Sequence, residues 1–313
     1  MPDTFFTSSP QWTWWIVFYF FVGGIAGSAF LLASLLHLFG RAADRPLVRL
    51  GYYVAFVGAI ISGMLLTLDL DRPERFWHML IESNTGRPMF KSWVPMSVGS
   101  WGLLLFGLFA FLAALTAVSE ERPGTRLLQW APVRALRRRA PSAGIAVLGS
   151  VFGLFLAGYT GVLLAVTNRP IWADSALLGL LFLVSGASTG AAALILLAIW
   201  RRAGHPASVH WLAWFDRRVL VLELMLLILF LASLGSVARV FLGWWGVALV
   251  LGVIGIGILA PLLLQRGHRP PARHHLVRSA FLVLLGGFLL RVVVLLSSHD
   301  IHVLGSGVTG VSP

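Results

Sequence analysis

"GYYVAFVGAIISGMLLTLDLDRPERFWHML", residues 51–80, holds the two features from which the rest of the chain is read. No charged residue occurs from Leu50 to Leu68, and about 20 consecutive apolar residues is what an α-helix needs to cross the hydrocarbon core of a bilayer. The run then stops against Asp69, Asp71, Arg72, Glu74, Arg75 and His78. Three of the chain's 12 acidic residues are gathered at this one place, which asks for a reason beyond solubility.

Outward from that stretch the same pattern repeats. Hydrophobic residues make up 58% of the chain, charged residues 12%, and the mean hydropathy is +0.86, outside the range of soluble domains. Apolar runs near 12–39, 47–68, 94–118, 143–166, 175–200, 217–236, 244–264 and 274–296 predict an all-α membrane protein. The expected architecture is eight transmembrane helices in a compact bundle, a single integral membrane domain over 1–313. The segment after Met1 has no basic region or small-residue cleavage site before its first apolar run, so that run reads as a retained span.

The basic residues fall in alternate connections. Those after the first, third, fifth and seventh spans hold 17 of the 24 Lys and Arg: Arg41, Arg45, Arg49, Arg122, Arg126, Arg134, Arg137, Arg138, Arg139, Arg201, Arg202, Arg217, Arg218, Arg266, Arg269, Arg273 and Arg278. The positive-inside rule then places both termini, and the 69–93 loop, on the outer (periplasmic) side of a bacterial inner (cytoplasmic) membrane. A net charge of +12 spread this way marks topology and contact with membrane lipid headgroups, not nucleic-acid binding. Cysteine is absent, so this chain alone builds no disulfide, thiolate metal site or iron–sulfur cluster.

Spacing adds local detail. Trp12, Trp14 and Trp15 fit an interfacial aromatic belt. Gly23 and Gly27 lie on one helix face, as close helix contact in lipid requires, and similar small-residue patterns recur in "SGASTGAAA" (185–193) and "GVIGIGI" (252–258). Asp71, Pro73 and Glu74 resemble a capped helix start, predicting a short surface helix over "RFWHML" with Phe76, Trp77, Met79 and Leu80 dipping into the boundary.

Ionisable groups at membrane depth are costly and usually paired or functional. They are Asp69, Glu223, Arg239 and Arg291, with His37 at the end of the first span. A b-type haem needs facing axial ligands, and apart from His37 the histidines fall in loops or at helix ends, so haem is not expected. A quinone instead needs hydrogen-bond donors for two carbonyl oxygens and a titratable group nearby. Tyr19, Asp69 and Tyr159, the last flanked by Gly158 and Gly161, meet that need near the outer boundary. Desolvation raises a carboxyl pKa and would hold Asp69 partly protonated, while an ion pair with Arg72 is the simpler alternative for it. For each tyrosine the alternative is an interhelical hydrogen bond.

Five segments together carry a family resemblance: "LDLDRPERFWHML" (68–80), "MFKSWVPMSVGSWGL" (89–103), "GYTGVLL" (158–164), "LFLVSGASTG" (181–190) and "GGFLLR" (286–291). In that order, over essentially the whole chain, they resemble the polysulfide reductase NrfD/PsrC-type membrane subunits. The resemblance implies eight helices and a menaquinone or ubiquinone site with Tyr19, Asp69, Tyr159 and Gly161, Asp69 and Tyr159 being catalytic. It also implies a four-cluster ferredoxin-like iron–sulfur partner, with a molybdopterin catalytic subunit completing a respiratory-type oxidoreductase. Asp71 stands where that family commonly has glycine. In this reading Asp71, Arg72, Glu74, Arg75 and His78 dock the partner, and Glu223 with Arg239 begins a proton path. The rival readings are a small-anion transporter using Arg239 and Arg291, and a purely structural anchor.

Overall fold

A computed structural model describes residues 12, 14–122, 124, 130–167, 169–266 and 272–306, with side chains of the last helix described to Ser298. The segment after Met1, Arg126, His268 and Arg269, and the side chains of His299 and His302, lie outside the described residues. The fold is all-helical: α1 (Trp14–Phe39), α2 (Arg45–Leu68), α3 (Pro95–Glu121), a short α4 (Ala131–Leu136), α5 (Arg139–Ala165), α6 (Leu178–Trp200), α7 (Pro206–Ser233), α8 (Trp244–Leu264) and α9 (Arg273–Ser306). Among the described residues seven helices are long and apolar enough to cross a membrane, or eight when α7 is counted with the segment after its bend.

Sequence explains several starts. Proline occupies the first turn of α2, α3 and α7, where its missing N–H costs no helical bond. The Asp44 carboxylate accepts the Arg41 N–H at 2.6 Å and also the Ser208 hydroxyl, so the α1–α2 turn is tied to the start of α7. Arg49 pairs with Glu121 at 3.5 Å, Ser142 bonds His37 at 2.9 Å, and Arg273 donates to the Ile199 carbonyl at 2.7 Å. These ties gather the four arginine-rich connections on one side of the bundle. On the opposite side Trp172 donates to the Val294 carbonyl at 2.8 Å and Ser233 to Ser175 at 2.7 Å.

Several features differ from expectation. α7 begins at Pro206, not near 217, because Asp216 is fully buried and accepts a bond from Gln265 at 3.1 Å, which lets a helix carry it. That helix ends at Ser233, and the chain turns by 110° through Gly235 (φ +55°), a left-handed conformation that glycine tolerates, into Gly235–Leu242. The middle of α8, Ala248–Leu259, is π-helical. Trp12 is also no lipid-facing belt residue: it is buried and stacked on Trp172 at 5.4 Å, while Trp14 and Trp15 are exposed.

With no water to drive apolar surfaces together, helices in lipid associate through close packing. α1 crosses α5 where Gly27 meets Gly153, and a Cβ at Gly27 would lie 2.2 Å from the Gly153 carbonyl oxygen. Gly24 similarly approaches Gly186 of α6, Gly58 of α2 approaches Ala26, and Gly257 of α8 meets Gly286 of α9. Gly27→Ala is therefore expected to lower stability by about 1–3 kcal/mol through overpacking. Gly144→Ala, with open space at its Cβ, should instead gain about 0.5–1 kcal/mol. Thermal unfolding in detergent checks the opposite signs.

Candidate functional site

The end of the bundle opposite the arginine-rich connections holds the residues singled out above. Tyr19 lies about 7 Å along α1 from its start, and Ser62 and Tyr159 lie about 9 Å from the ends of α2 and α5, at roughly 1.5 Å per residue. The three share one depth. Tyr19 is 1% exposed and within electrostatic reach of Tyr159. At Gly23 a Cβ would stand 3.7 Å from both the Ser62 hydroxyl and the Tyr19 ring, so these two groups border the same small space. Ser62 is fully buried, and its hydroxyl has no hydrogen-bond partner among the described residues.

Tyr159 is held more firmly. Its hydroxyl donates to the Pro95 carbonyl at 2.6 Å, and its ring stacks on Phe155 at 5.1 Å. Gly99 makes the room, since a Cβ there would lie 2.3 Å from the ring and hydroxyl. The interhelical hydrogen bond, the simpler reading of this tyrosine, is what is found. Gly161 belongs elsewhere: it packs on the Leu178 carbonyl and Gly179 of α6, and Gly158 faces the same helix. The structure thus brings Tyr19 and Tyr159 together and leaves Gly161 as a packing residue.

Asp69 ends α2, seven residues beyond Ser62 and hence on the same helix face two turns further out. It is half-buried, and among the described residues its carboxylate makes no hydrogen bond or ion pair, so the expected alternative pairing with Arg72 is not present. Burial, and secondarily the neighbouring Asp71, raises its pKa above the ordinary carboxyl value. Beside it, α2, α3 and the following short helix enclose a groove of about 800 Å³ open at the bundle surface, lined by Leu68 and Leu70 on either side of Asp69 but not by Asp69 itself. Phe76, Met79 and Leu80 line its outer end, and Thr67 and Ser100 bring hydroxyls to its wall.

The short helix runs over Pro73–Met79 as a 3₁₀ turn, near where expected, but Arg72 sits at its N-cap and no side chain caps it, so Asp71 does not have the capping role. Asp71, Arg72, Glu74 and Arg75 are exposed, while His78 is partly covered and packs edge-on to Trp77 at 3.9 Å. Trp101 and Ser97 of α3 both donate to the Met89 carbonyl, at 2.9 and 3.3 Å, fixing the loop behind them.

A second polar cluster lies deep in the other half of the bundle. Arg291, fully buried, donates to the Phe20 carbonyl (3.3 Å), the Ser185 hydroxyl (3.0 Å) and the Gly287 carbonyl (2.5 Å). Glu223 accepts from Ser188 at 3.0 Å and interacts electrostatically with Arg291 and with Asp216. Gln265 donates to Asp216 and to Ser279, and one Asp216 oxygen remains without a partner among the described residues. Arg239 does not join Glu223; it is exposed in the segment after the α7 bend.

Sequence reasoning missed Ser62 and Gly99, because a lone serine or glycine in an apolar run carries no signal until its neighbours are known. It also missed Arg169 in the α5–α6 connection. That side chain is 5% exposed, its Nε and Nη1 have no partner among the described residues, and it lies 5.4 Å from the Trp172 ring. Burial lowers its pKa, and nearby Ile171 adopts φ +71°, a conformation β-branched residues rarely take.

Comparison with known proteins agrees with the segments quoted above. The family model described as polysulphide reductase, NrfD matches residues 3–301. Protein NrfD of Escherichia coli (strain K12) is 30% identical over 286 residues, covering 84% of this chain and 86% of that one. One of the chains of the polysulfide reductase of Wolinella succinogenes is 28% identical over 310 residues, 91% of this chain and 93% of that one. One of the subunits of the selenate reductase of Mesobacillus selenatarsenatis is 24% identical over 216 residues, 61% of this chain and 48% of that one. With the match spanning nearly the whole of an all-helical, multi-pass chain, the protein belongs to the polysulphide reductase NrfD family of membrane subunits.

Proposed function

We propose that this chain is the quinone-binding membrane subunit of a respiratory oxidoreductase, exchanging electrons between menaquinone or ubiquinone and an iron–sulfur partner. The observation that carries the reading is the convergence of Tyr19, the unpartnered Ser62 hydroxyl and the unpaired Asp69 carboxyl at one end of the bundle, beside a groove open at the bundle surface. A quinone supplies a lipid-soluble carrier of two electrons and two protons. The residues fit it: the groove takes an isoprenoid tail, and the buried Ser62 hydroxyl, without a partner among the described residues, favours a carbonyl acceptor, since leaving it unsatisfied costs about 1–3 kcal/mol.

The roles divide by environment. Asp69, with its raised pKa and no cation beside it, is the group suited to hold and release a proton. Tyr19 and Ser62 orient the ring. Tyr159, committed to Pro95, fixes the start of α3 against α5 and is a positioning residue first. The exposed charges Asp71, Arg72, Glu74 and Arg75 form the docking edge for a four-cluster ferredoxin-like subunit, to which a molybdopterin catalytic subunit attaches. The names of the two reductase relatives, each one component of a larger enzyme, favour such an assembly.

Asp216, Gln265, Glu223 and Ser188 form a polar row leading from about 15 Å into α7 toward Arg291, and this row is the best candidate for proton movement through the second half of the bundle. Arg239 stands apart from it. Arg291 is bonded on several sides by protein groups, which counts against its use as a counter-charge for a transported anion.

Asp69→Asn is expected to lower quinol-linked turnover of the purified complex about 100-fold, the scale of a lost proton-transfer group, with subunit stoichiometry unchanged. Unchanged turnover would reduce the role to that of an anchor. Tyr159→Phe should cost about tenfold through loss of one buried hydrogen bond. Because the folded pKa of Asp69 is raised, the folded state binds its proton more tightly than the unfolded state. Its contribution to stability is thus present at low pH and lost as pH rises through the raised value. Thermal stability against pH should show that decline in the parent protein. The part of that decline due to Asp69 should move to lower pH in Asp71→Asn and be lost in Asp69→Asn.

A further inference from the structure

Two adjoining cavities on the arginine-rich side make a single amphipathic groove away from the site above. One, of about 490 Å³, is bordered by Tyr53, Glu121, Arg122 and Arg201. The other, of about 370 Å³, shares Leu50, Tyr53 and Arg201 with it and continues between Val54, Val57, Gly58 and Ile61 of α2 and Val22 and Ile25 of α1. From Tyr53 to Ile61 the apolar part extends about 12 Å along α2, at roughly 1.5 Å per residue.

The charge at the polar end is not balanced from within. Glu121 is engaged by Arg49 at 3.5 Å and by the Tyr53 hydroxyl, which donates to it at 3.0 Å. Among the described residues Arg122 and Arg201 have no acidic partner, Arg201 resting only against the Trp200 ring at 5.6 Å. Two unneutralised guanidinium groups at the mouth of an apolar furrow match a ligand with an anionic head and a hydrocarbon chain. A quinone's uncharged carbonyls do not require them, whereas a phosphodiester accepts the planar donor fork of arginine. A zwitterionic headgroup brings its own cation and fits less well.

We propose that this groove is a binding site for an anionic phospholipid of the arginine-rich leaflet, its phosphate between Arg122 and Arg201 and an acyl chain along α2 beneath α1. The site is independent of the quinone reading and stands or falls without it.

The test uses the full-length protein, delipidated in detergent, with three probes: dioleoylphosphatidylglycerol, dioleoylphosphatidylcholine and inorganic phosphate. Native mass spectrometry should show a retained phosphatidylglycerol adduct, and only that lipid should raise the unfolding temperature, by several degrees. The Arg122→Gln/Arg201→Gln variant should bind it at least tenfold more weakly, while Arg134→Gln/Arg137→Gln, an equal charge change away from the groove, retains it. A phosphatidylglycerol carrying a photoreactive acyl chain, applied to the unaltered protein, should label residues 54–61, which keeps the test valid if the variant misfolds. Equal retention of phosphatidylcholine, an equal effect of inorganic phosphate, equal loss in the control variant, or labelling elsewhere would each overturn the proposal.

Discussion

The contact on which the bundle depends is the backbone crossing of α1 and α5 at Gly27 and Gly153. In a bilayer, lipid tails are as apolar as leucine, so helices gain by approaching closely, not by leaving the solvent. Glycine removes the side chains that would hold two backbones apart, and α1 uses the device on several faces: Gly27 toward α5, Gly24 toward α6 and Ala26 toward Gly58 of α2. α1 becomes the central helix, with its middle, from Gly23 to Ser34, mostly buried. Adjacent residues then look into different halves of the protein. Tyr19 faces the cluster with Ser62 and Tyr159, while the Phe20 carbonyl receives Arg291 from α9.

The two interior clusters differ in how completely they are satisfied. Arg291 is surrounded by acceptors on α1, α6 and its own helix, with Glu223 nearby to balance its charge. Isolated in hydrocarbon, such a group would be among the most expensive in the chain; bonded on this scale, it locks three helices. The cluster around Ser62 and Asp69 leaves polarity open. Among the described residues the Ser62 hydroxyl lacks a partner, Asp69 lacks a cation, and an apolar groove lies beside them between α2 and α3.

Much of this architecture is legible in the chain because bilayer thickness imposes a length on every apolar run. The spans from 47, 94, 143 and 244 fall close to the helices found, and the alternation of arginines matches the side on which the connections meet. Expectation fails where tertiary contacts override composition. Asp216 and Arg217 look like loop residues, yet Gln265 and Ser279 give Asp216 a buried place within a helix. Arg239 reads as part of a straight span, but the bend at Gly235 carries it to the surface. In the site, Tyr19, Asp69 and Tyr159 stand out in sequence because phenols and carboxyls are rare there. Ser62 and Gly99 become visible only when α1, α2, α3 and α5 are set side by side. Gly161, adjacent to the tyrosine motif, serves the contact with α6.

The central claim is that a quinone headgroup enters beside Asp69 between α2 and α3. The most direct measurement is photoaffinity labelling of the purified complex with an azidoquinone, mapped by peptide mass spectrometry. The account predicts labels within residues 59–70, 76–80 and 100–108, displaced by excess unmodified quinone. Displaceable labelling confined to α6 through α9, with none at these positions, would contradict it.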